Sequence, residues 1–268
     1  MSVAVELRRY QGPVFAGDGP HPALARLLDA RDTLIEIGSA PAPHVVLGVP
    51  HHAAIGIARI AERRPEGGRV ADENAVVYAL ACFAMLSRAG AACRVVVAAH
   101  ATDHDPNKRA GSHYCRHALA GPELRLLVEC HGAGRRAPHD LELSAGRNAR
   151  SEPLRFGRLL ARALGPGFHL AAQTAPGARS ALLLDARGAD AGASVLRFPA
   201  LRTHSLAAAA ARGVAALHLE AKPRFRSRGD GSAALTASGR RLGSALAAAV
   251  VGYLGVANGV AAAPTRSP

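Results

Sequence analysis

The chain has 268 residues and a formal net charge of +13, and 49% of its residues are apolar. This length suffices for one large domain with a buried core, and we expect that domain to span residues 1–255, followed by a disordered tail over residues 256–268. The apolar residues form short runs, none near the roughly 18 residues of a membrane span, so no membrane contact is expected. Residues 1–13 lack the charged-then-apolar order of a signal peptide, which predicts a cytoplasmic location.

The positive charge comes almost entirely from arginine and is spread along the chain. A nucleic-acid partner would favour a dense basic patch with interleaved aromatic residues, so this pattern argues against one and suits a small anionic substrate. The four cysteines are scattered without a CxxC pair. They predict buried free thiols and argue against a zinc site built from cysteines.

Short runs rich in Val, Ile and Leu, bounded by turn residues, predict β-strands that begin at Thr33, His44, Cys93, Leu124, Asp140, Ala181 and Ala215. Helices are predicted over Asn74–Gly90, from Ser151 to about residue 165, and over Ser232–Gly255. Strands that alternate with helices indicate an α/β fold. We expect a three-layer αβα sandwich with a mixed, largely parallel central sheet.

Polar motifs stand at the ends of four predicted elements, where α/β folds build their sites. They contain His51 and His52 (PHHA), Asp72 and Glu73 (ADEN), Glu129 and His131 (ECHG), and Glu220 (HLE). A zinc hydrolase needs three imidazole or carboxylate ligands and a separate carboxylate as general base, and these motifs can supply both. Taken singly, each motif has a structural alternative: a strand-end histidine can be a hydrogen-bonding residue, and the acidic pair can cap a helix.

The order PHHA, ADEN, DPNK, CHGAG, HLE resembles the N-formylglutamate amidohydrolase family, which is related in fold to zinc carboxypeptidases; the resemblance runs from His44 to Arg226. It implies a zinc-exopeptidase-like fold with one zinc ion per chain. The implied ligands are His51, Glu73 and His131, with Asp72 as the alternative carboxylate. The implied general base is Glu220.

The DPNK motif corresponds to Asp-Leu-Asn-Arg in that family, so the resemblance implies that Asn107 and Lys108 bind a substrate carboxylate. The alternative is a plain turn, because Asp-Pro-Asn is strong turn chemistry. The resemblance also places Arg147 in a segment that lines the site. His52 is left open as an outer partner or an alternative ligand.

Two further groups of charged residues have competing interpretations. Glu142 lies in an alternating strand pattern and is expected to face solvent. The cluster of Lys222, Arg224 and Arg226 suits either an anion site or a solvated edge.

These observations favour a zinc-dependent amidohydrolase that cleaves an amide bond of a small anionic substrate, such as an N-acyl amino acid. A carboxypeptidase-like peptidase acting on cell-wall or γ-glutamyl peptides is the alternative within the hydrolases. A non-catalytic basic binding protein on the same fold is the alternative of another class.

Overall fold

The computed structural model describes residues 5–30, 32–38, 42–52, 72, 74–100, 104–226 and 233–255. Within these residues the strands are β1 (Glu6–Tyr10), β2 (Phe15–Ala16), β3 (Gly19–Pro20), β4 (Asp32–Ile37), β5 (Val45–Val49), β6 (Cys93–His100), β7 (Leu126–Gly132), β8 (Leu141–Ser144), β9 (Leu170–Gln173), β10 (Ser180–Leu184), β11 (Asp190–Val195) and β12 (Ala215–Ala221). The helices are α1 (Pro22–Leu28), α2 (Ala75–Arg88), α3 (His113–Ala118), α4 (Pro153–Leu164), α5 (His204–Ala211) and α6 (Ala237–Leu254), with a short 3-10 turn at Pro223–Phe225.

Ten strands form one sheet in the order β1-β4-β6-β5-β7-β12-β8-β9-β10-β11, and β2 and β3 pair separately. The central run β6-β5-β7-β12 is parallel throughout. Antiparallel pairs flank it at β4/β6 and β12/β8, and β9, β10 and β11 continue as antiparallel neighbours. The predicted mixed, largely parallel sheet is confirmed.

Helices cover both faces of this sheet. One core contains buried residues of α1, α2, α4 and α6 together with one side of the central strands. The second core, on the opposite side, contains buried residues of α3 and α5. The predicted three-layer αβα arrangement is therefore confirmed.

The two central strands β7 and β12 carry polar residues on one face only. On β7, Leu126, Val128 and Cys130 join the core beneath α2 and α6, whereas Glu129 and His131 project to the other side because successive strand residues alternate. On β12, His218 and Glu220 alternate with buried apolar residues in the same way. In this parallel pair His218 lies beside Glu129 and Glu220 beside His131, so the register gathers all four on one face.

The ends of the predicted segments differ from the structure in a few places. Helix α6 begins at Ala237, after the Thr236 side chain accepts a hydrogen bond from the backbone of Gly239, and it ends before Gly255 in the left-handed region. The predicted start at Ser232, the carboxylate Glu73 and the predicted tail 256–268 all lie outside the described residues. Among the helices that the structure describes, none combines the length and apolar character needed to cross a bilayer.

Candidate metal centre and active site

Three donor atoms from separate parts of the chain converge beyond the ends of β5 and β7. His51 Nδ1 lies 3.0 Å from Asp72 Oδ2, and His131 Nδ1 lies 2.9 Å from the same oxygen. The two Nδ1 atoms are 3.2 Å apart. This triangle of two imidazole nitrogens and one carboxylate oxygen brings together two of the three predicted ligands with the alternative carboxylate, Asp72.

Backbone contacts hold the triangle in place. The Asp72 N–H donates to the His51 carbonyl at 2.9 Å, and the Ala75 N–H donates to the Asp72 carbonyl at 3.0 Å as α2 begins. From α2 the buried Tyr78 hydroxyl donates to the His131 carbonyl at 3.0 Å. The first turn of α2 therefore ties the loop after β5 to the end of β7.

Both histidines turn their other ring nitrogen to a carboxylate. His51 Nε2 lies 2.8 Å from Asp105 Oδ1, and His131 Nε2 lies 3.7 Å from Glu129 Oε2. Carboxylates that face the outer nitrogen of a histidine commonly fix the orientation of metal-binding imidazoles. Here they leave both Nδ1 atoms facing Asp72.

The electrostatics of this cluster favour positive charge. Burial alone would lower the pKa of His131, but its contacts with Asp72 and Glu129 outweigh burial and raise that pKa to about 10. For His51, burial is likewise outweighed by its hydrogen bonds to Asp105 and Asp72, and the pKa is raised. Burial would raise the pKa of Asp72, yet its two histidine partners hold it well below its usual range.

This donor set fits a divalent cation. One carboxylate oxygen and two imidazole nitrogens are common zinc ligands, and their surroundings already stabilise the positive charge that an ion would bring. Binding would require both Nδ1 atoms to be free of protons, so the cation and protons compete for the same atoms.

Glu129 lies behind His131 and is completely buried. Its Oε1 accepts hydrogen bonds from the hydroxyls of Tyr114 at 2.9 Å and Ser205 at 2.5 Å, and its Oε2 accepts one from Asn107 at 3.0 Å. Burial would raise the pKa of Glu129, but its contact with His131, together with the hydrogen bond from Ser205, lowers that pKa. A carboxylate so fully engaged is suited to hold His131 rather than to exchange protons with a substrate.

Glu220 lies next to His131 across the β12/β7 pair and lines the same cavity as His51. Its Oε1 is 3.0 Å from His218 Nε2, and the His218 ring stacks on the His131 ring with centroids 4.0 Å apart. Burial and the neighbouring His131 lower the pKa of His218, so its neutral ring can donate to Glu220. Glu220 is therefore held beside the donor triangle through His218.

The basic residues after β12 do not form an anion site. Lys222 and Arg224 pair with Asp140 at 3.5 and 2.7 Å. Arg226 is buried and donates to the Ala133 carbonyl at 2.9 Å. These contacts fix the segment after β12 against its neighbours.

A cavity of about 460 Å³ opens beside the centre, and its lining includes His51, Asn107, Lys108, His218 and Glu220. The DPNK motif forms a turn in which the Lys108 N–H donates to the Asp105 carbonyl at 3.1 Å. The motif is therefore a turn, and the buried Asn107 and the half-buried Lys108 both line the cavity. The Lys108 ammonium lies 2.6 Å from Asp105 Oδ2.

Three expectations for other residues do not match the structure. Arg147, in the turn after β8, is exposed and is not part of the cavity lining. The His52 ring faces the Leu28 carbonyl at 3.0 Å, away from the donor triangle. Glu142 is buried rather than solvent-facing, because β12 covers one side of β8 and its Oε2 accepts the backbone N–H groups of Arg197 and Phe198, each at 2.9 Å.

Sequence reasoning missed some site residues. Asp105 lies in the DPNK motif and His218 in the HLE motif, but the sequence alone assigns neither of them a role. Three cavity-lining arginines, Arg179, Arg197 and Arg202, lie outside every motif. A usable signal for His218 was the alternation of polar residues along two predicted strands; no local pattern marks the arginines.

No protein-family model and no curated protein matches the chain. Among solved structures, a bacteriophage poly-gamma-glutamate hydrolase matches with 14% identity and a TM-score of 0.43 over 80% of this chain and 86% of that one. N-formylglutamate amidohydrolase from Ralstonia eutropha JMP134 matches with 13% identity and a TM-score of 0.43 over 80% and 94% of the two chains. A metallo-carboxypeptidase from Burkholderia cenocepacia matches with 12% identity and a TM-score of 0.44 over 83% of this chain and 61% of its own length. The likeness is one of fold.

Proposed function

We propose that this protein is a zinc-dependent amidohydrolase that cleaves an amide bond in a small anionic substrate such as an N-acyl amino acid. The observation that supports it most is the convergence of His51 Nδ1, Asp72 Oδ2 and His131 Nδ1 within 3.2 Å of one another. Glu220 lines the same cavity as His51, one of the three converging residues. A ligand set and a separate carboxylate beside one cavity are what metal-assisted hydrolysis requires.

His51, Asp72 and His131 would hold the zinc ion. Asp72 is preferred over Glu73 because its Oδ2 lies within 3.0 Å of both imidazole nitrogens. Bound zinc supplies Lewis-acid chemistry to the scissile carbonyl and to the attacking water. Asp105 and Glu129 keep the two rings oriented, which is the role of outer carboxylates in such sites.

Glu220 acts as the general base. It accepts the proton of the attacking water and then returns that proton to the leaving amine. The hydrogen bond from His218 engages Oε1 and leaves Oε2 for the proton transfer. His218 is thus a positioning residue for Glu220.

Asn107 and Lys108 bind a substrate carboxylate at the same cavity. The Lys108 ammonium is a point charge, and Asp105 already neutralises part of it at 2.6 Å. We therefore expect Lys108 to contribute modestly to affinity, and the Asn107 amide to contribute orientation.

Zinc content tests this proposal first. Elemental analysis of the full chain, purified without chelators, should find about one zinc per molecule, and His51→Ala and His131→Ala should each lose most of it. His44→Ala is the matched control, because that ring is exposed and pairs only with the surface residue Glu123. A panel of N-acyl amino acids then identifies the hydrolysed amide.

Absence of zinc together with absence of turnover would overturn the proposal. Salt-dependent DNA binding by such a zinc-free protein would favour the non-catalytic alternative.

A further inference from the structure

Three arginines line the cavity near the candidate centre. Arg179 comes from the turn between β9 and β10, and Arg197 and Arg202 come from the segment between β11 and α5. We call these three residues the arginine wall. Glu220 is the carboxylate that shares their cavity lining.

The three arginines differ in their acidic surroundings, because the charge of Arg197 favours the ionised form of the nearby buried Glu142 carboxyl. Among the described residues, no acidic side chain pairs with Arg179, Arg197 or Arg202. Arg197 donates to the Arg136 carbonyl at 3.3 Å and lies over the Phe198 ring, and neither contact carries a charge. Lys108 differs, because Asp105 pairs with it. Arg179 and Arg202 are thus the cavity arginines whose charge is most available to a ligand.

The backbone of the wall is fixed by a buried carboxylate. Glu142 is 1% exposed, and its Oε2 accepts the N–H groups of Arg197 and Phe198. The Ser144 hydroxyl also donates to the Phe198 carbonyl at 3.4 Å. Strand β8 therefore anchors the start of the segment that carries Arg197 and Arg202.

The same segment adopts a strained conformation. Ala200 has a φ of 51°, in the left-handed region that is unfavourable for a residue with a Cβ atom. Its carbonyl packs so closely on Gly146 that a Cβ there would come within 2.6 Å of it. Such strain persists where the surroundings fix the backbone, and it is frequent at ligand sites.

A buried glutamine fixes the turn that carries Arg179. Gln173 is fully buried, and its Nε2 donates to the Gly146 carbonyl at 3.0 Å and to the Ala178 carbonyl at 2.8 Å. The Leu196 N–H donates to the Arg179 carbonyl at 2.9 Å. The two loops of the arginine wall are therefore tied to one another and to the turn at Gly146.

We propose that the arginine wall binds a second anionic group of the substrate, remote from the amide that is cleaved. The substrate is then an amide with at least two separate carboxylates, such as a short glutamyl peptide. Guanidinium groups suit carboxylates because they can donate two parallel hydrogen bonds to them. A cavity of about 460 Å³ has room for a ligand larger than one residue. This inference rests on the proposed function for the identity of the cleaved bond.

The test compares substrates that differ in anionic groups. The double variant Arg179→Gln/Arg202→Gln should lower the ratio of kcat/KM for tri-γ-glutamate over that for N-acetylglycine by at least tenfold. Arg147→Gln is the matched control, since Arg147 is exposed outside the cavity, and it should keep the wild-type ratio. The double variant should fold, because both side chains are exposed. A wild-type ratio in the double variant overturns the inference.

A binding measurement separates this inference from the proposed function. Calorimetry measures the affinity of Glu220→Gln protein for tri-γ-glutamate, with and without the two arginine substitutions. The Glu220→Gln background prevents turnover, so the difference gives the contribution of the arginine wall to binding. The arginine substitutions should weaken the binding of tri-γ-glutamate by at least tenfold. This result supports the arginine wall whether or not the binding of the α-linked isomer, tri-α-glutamate, is weakened as well. If the substitutions weaken peptide binding but the wild-type protein hydrolyses no amide, only the proposed function is wrong. If the wild-type protein hydrolyses N-acetylglycine but the substitutions change neither peptide binding nor the kcat/KM ratio, only the inference about the arginine wall is wrong.

Discussion

Two buried clusters among the described residues place histidine beside carboxylate, and they differ in how their charges are arranged. In the first, Glu36 is 5% exposed; its Oε1 lies 2.8 Å from His117 Nδ1 and 3.4 Å from Arg94, and its Oε2 lies 3.2 Å from Arg9. The hydrogen bond from His117 and the charge of Arg94 outweigh burial and hold the pKa of Glu36 at about 2. Each oxygen has a cationic partner of its own.

The candidate centre is arranged differently. There, two imidazole nitrogens and one carboxylate oxygen point at each other rather than at separate partners. Both clusters are buried and both have shifted pKa values, so neither property distinguishes a structural network from a reactive one. Convergence of donor atoms beside a cavity does.

The largest expected effect comes from Glu220. Glu220→Gln keeps the shape and the hydrogen bond to His218 but removes the base, so kcat should fall by roughly 10²–10⁴-fold while zinc content stays at wild-type level. Steady-state kinetics and elemental analysis measure the two quantities. Glu123→Gln, an exposed position, is the control. Full turnover in Glu220→Gln would shift the role of base to another carboxylate, and Asp140 would be tested next.

Glu36→Gln should affect stability alone. The folded pKa of about 2 lies below the ordinary 4.5, so Glu36 contributes about 3 kcal/mol that is present above pH 4.5 and lost as the pH falls through 2. Urea unfolding should find the variant less stable at pH 7, with the difference shrinking from pH 4.5 toward pH 2. A change in zinc affinity in this variant would contradict the separation of the two clusters.

Asp105→Asn should weaken the metal centre without abolishing it. Asparagine can still bond His51 Nε2 but lacks the negative charge, and loss of such outer partners usually costs 10–100-fold in metal affinity. Competition with a chromogenic chelator measures this, and Glu36→Gln is the matched control. Unchanged affinity would mean that Asp105 only shapes the turn.

The smallest effect is expected at Lys108. Lys108→Ala should raise KM for an N-acyl amino acid by about tenfold, because one charge is lost that Asp105 already offsets. The kcat should change little. Arg109→Ala, the exposed neighbour in the same turn, should keep the wild-type KM. If Lys108→Ala has the same KM as the wild-type protein, the DPNK motif is only a turn and Lys108 does not bind the substrate.

Much of the fold was predictable because the central strands are short runs made largely of buried apolar residues. All seven predicted strands occur, as β4, β5, β6, β7, β8, β10 and β12. Strands β1 and β11 were missed because they lie at the two edges of the sheet, where Glu6–Tyr10 and Asp190–Val195 are mostly exposed and lack an apolar pattern. Edge strands take their structure from a neighbour rather than from their own sequence.

The site was predictable only where a residue ends a strand. His51, His131 and Glu220 stand at such ends, and parallel pairing brings them to one edge of the sheet. The choice between Asp72 and Glu73 depends on the path from β5 to α2, which no local pattern fixes. The position of the arginine wall depends on strand order. Residues 179, 197 and 202 reach the cavity because their loops adjoin strands in the run β8-β9-β10-β11.

The separation of the three donor residues along the chain has a kinetic consequence. His51 lies 21 residues before Asp72, and His131 follows Asp72 by 59. The triangle is complete only when the ends of β5 and β7 and the start of α2 are packed together. An ion that recognises only the finished triangle cannot guide its assembly. Added zinc should therefore slow unfolding while leaving the refolding rate unchanged.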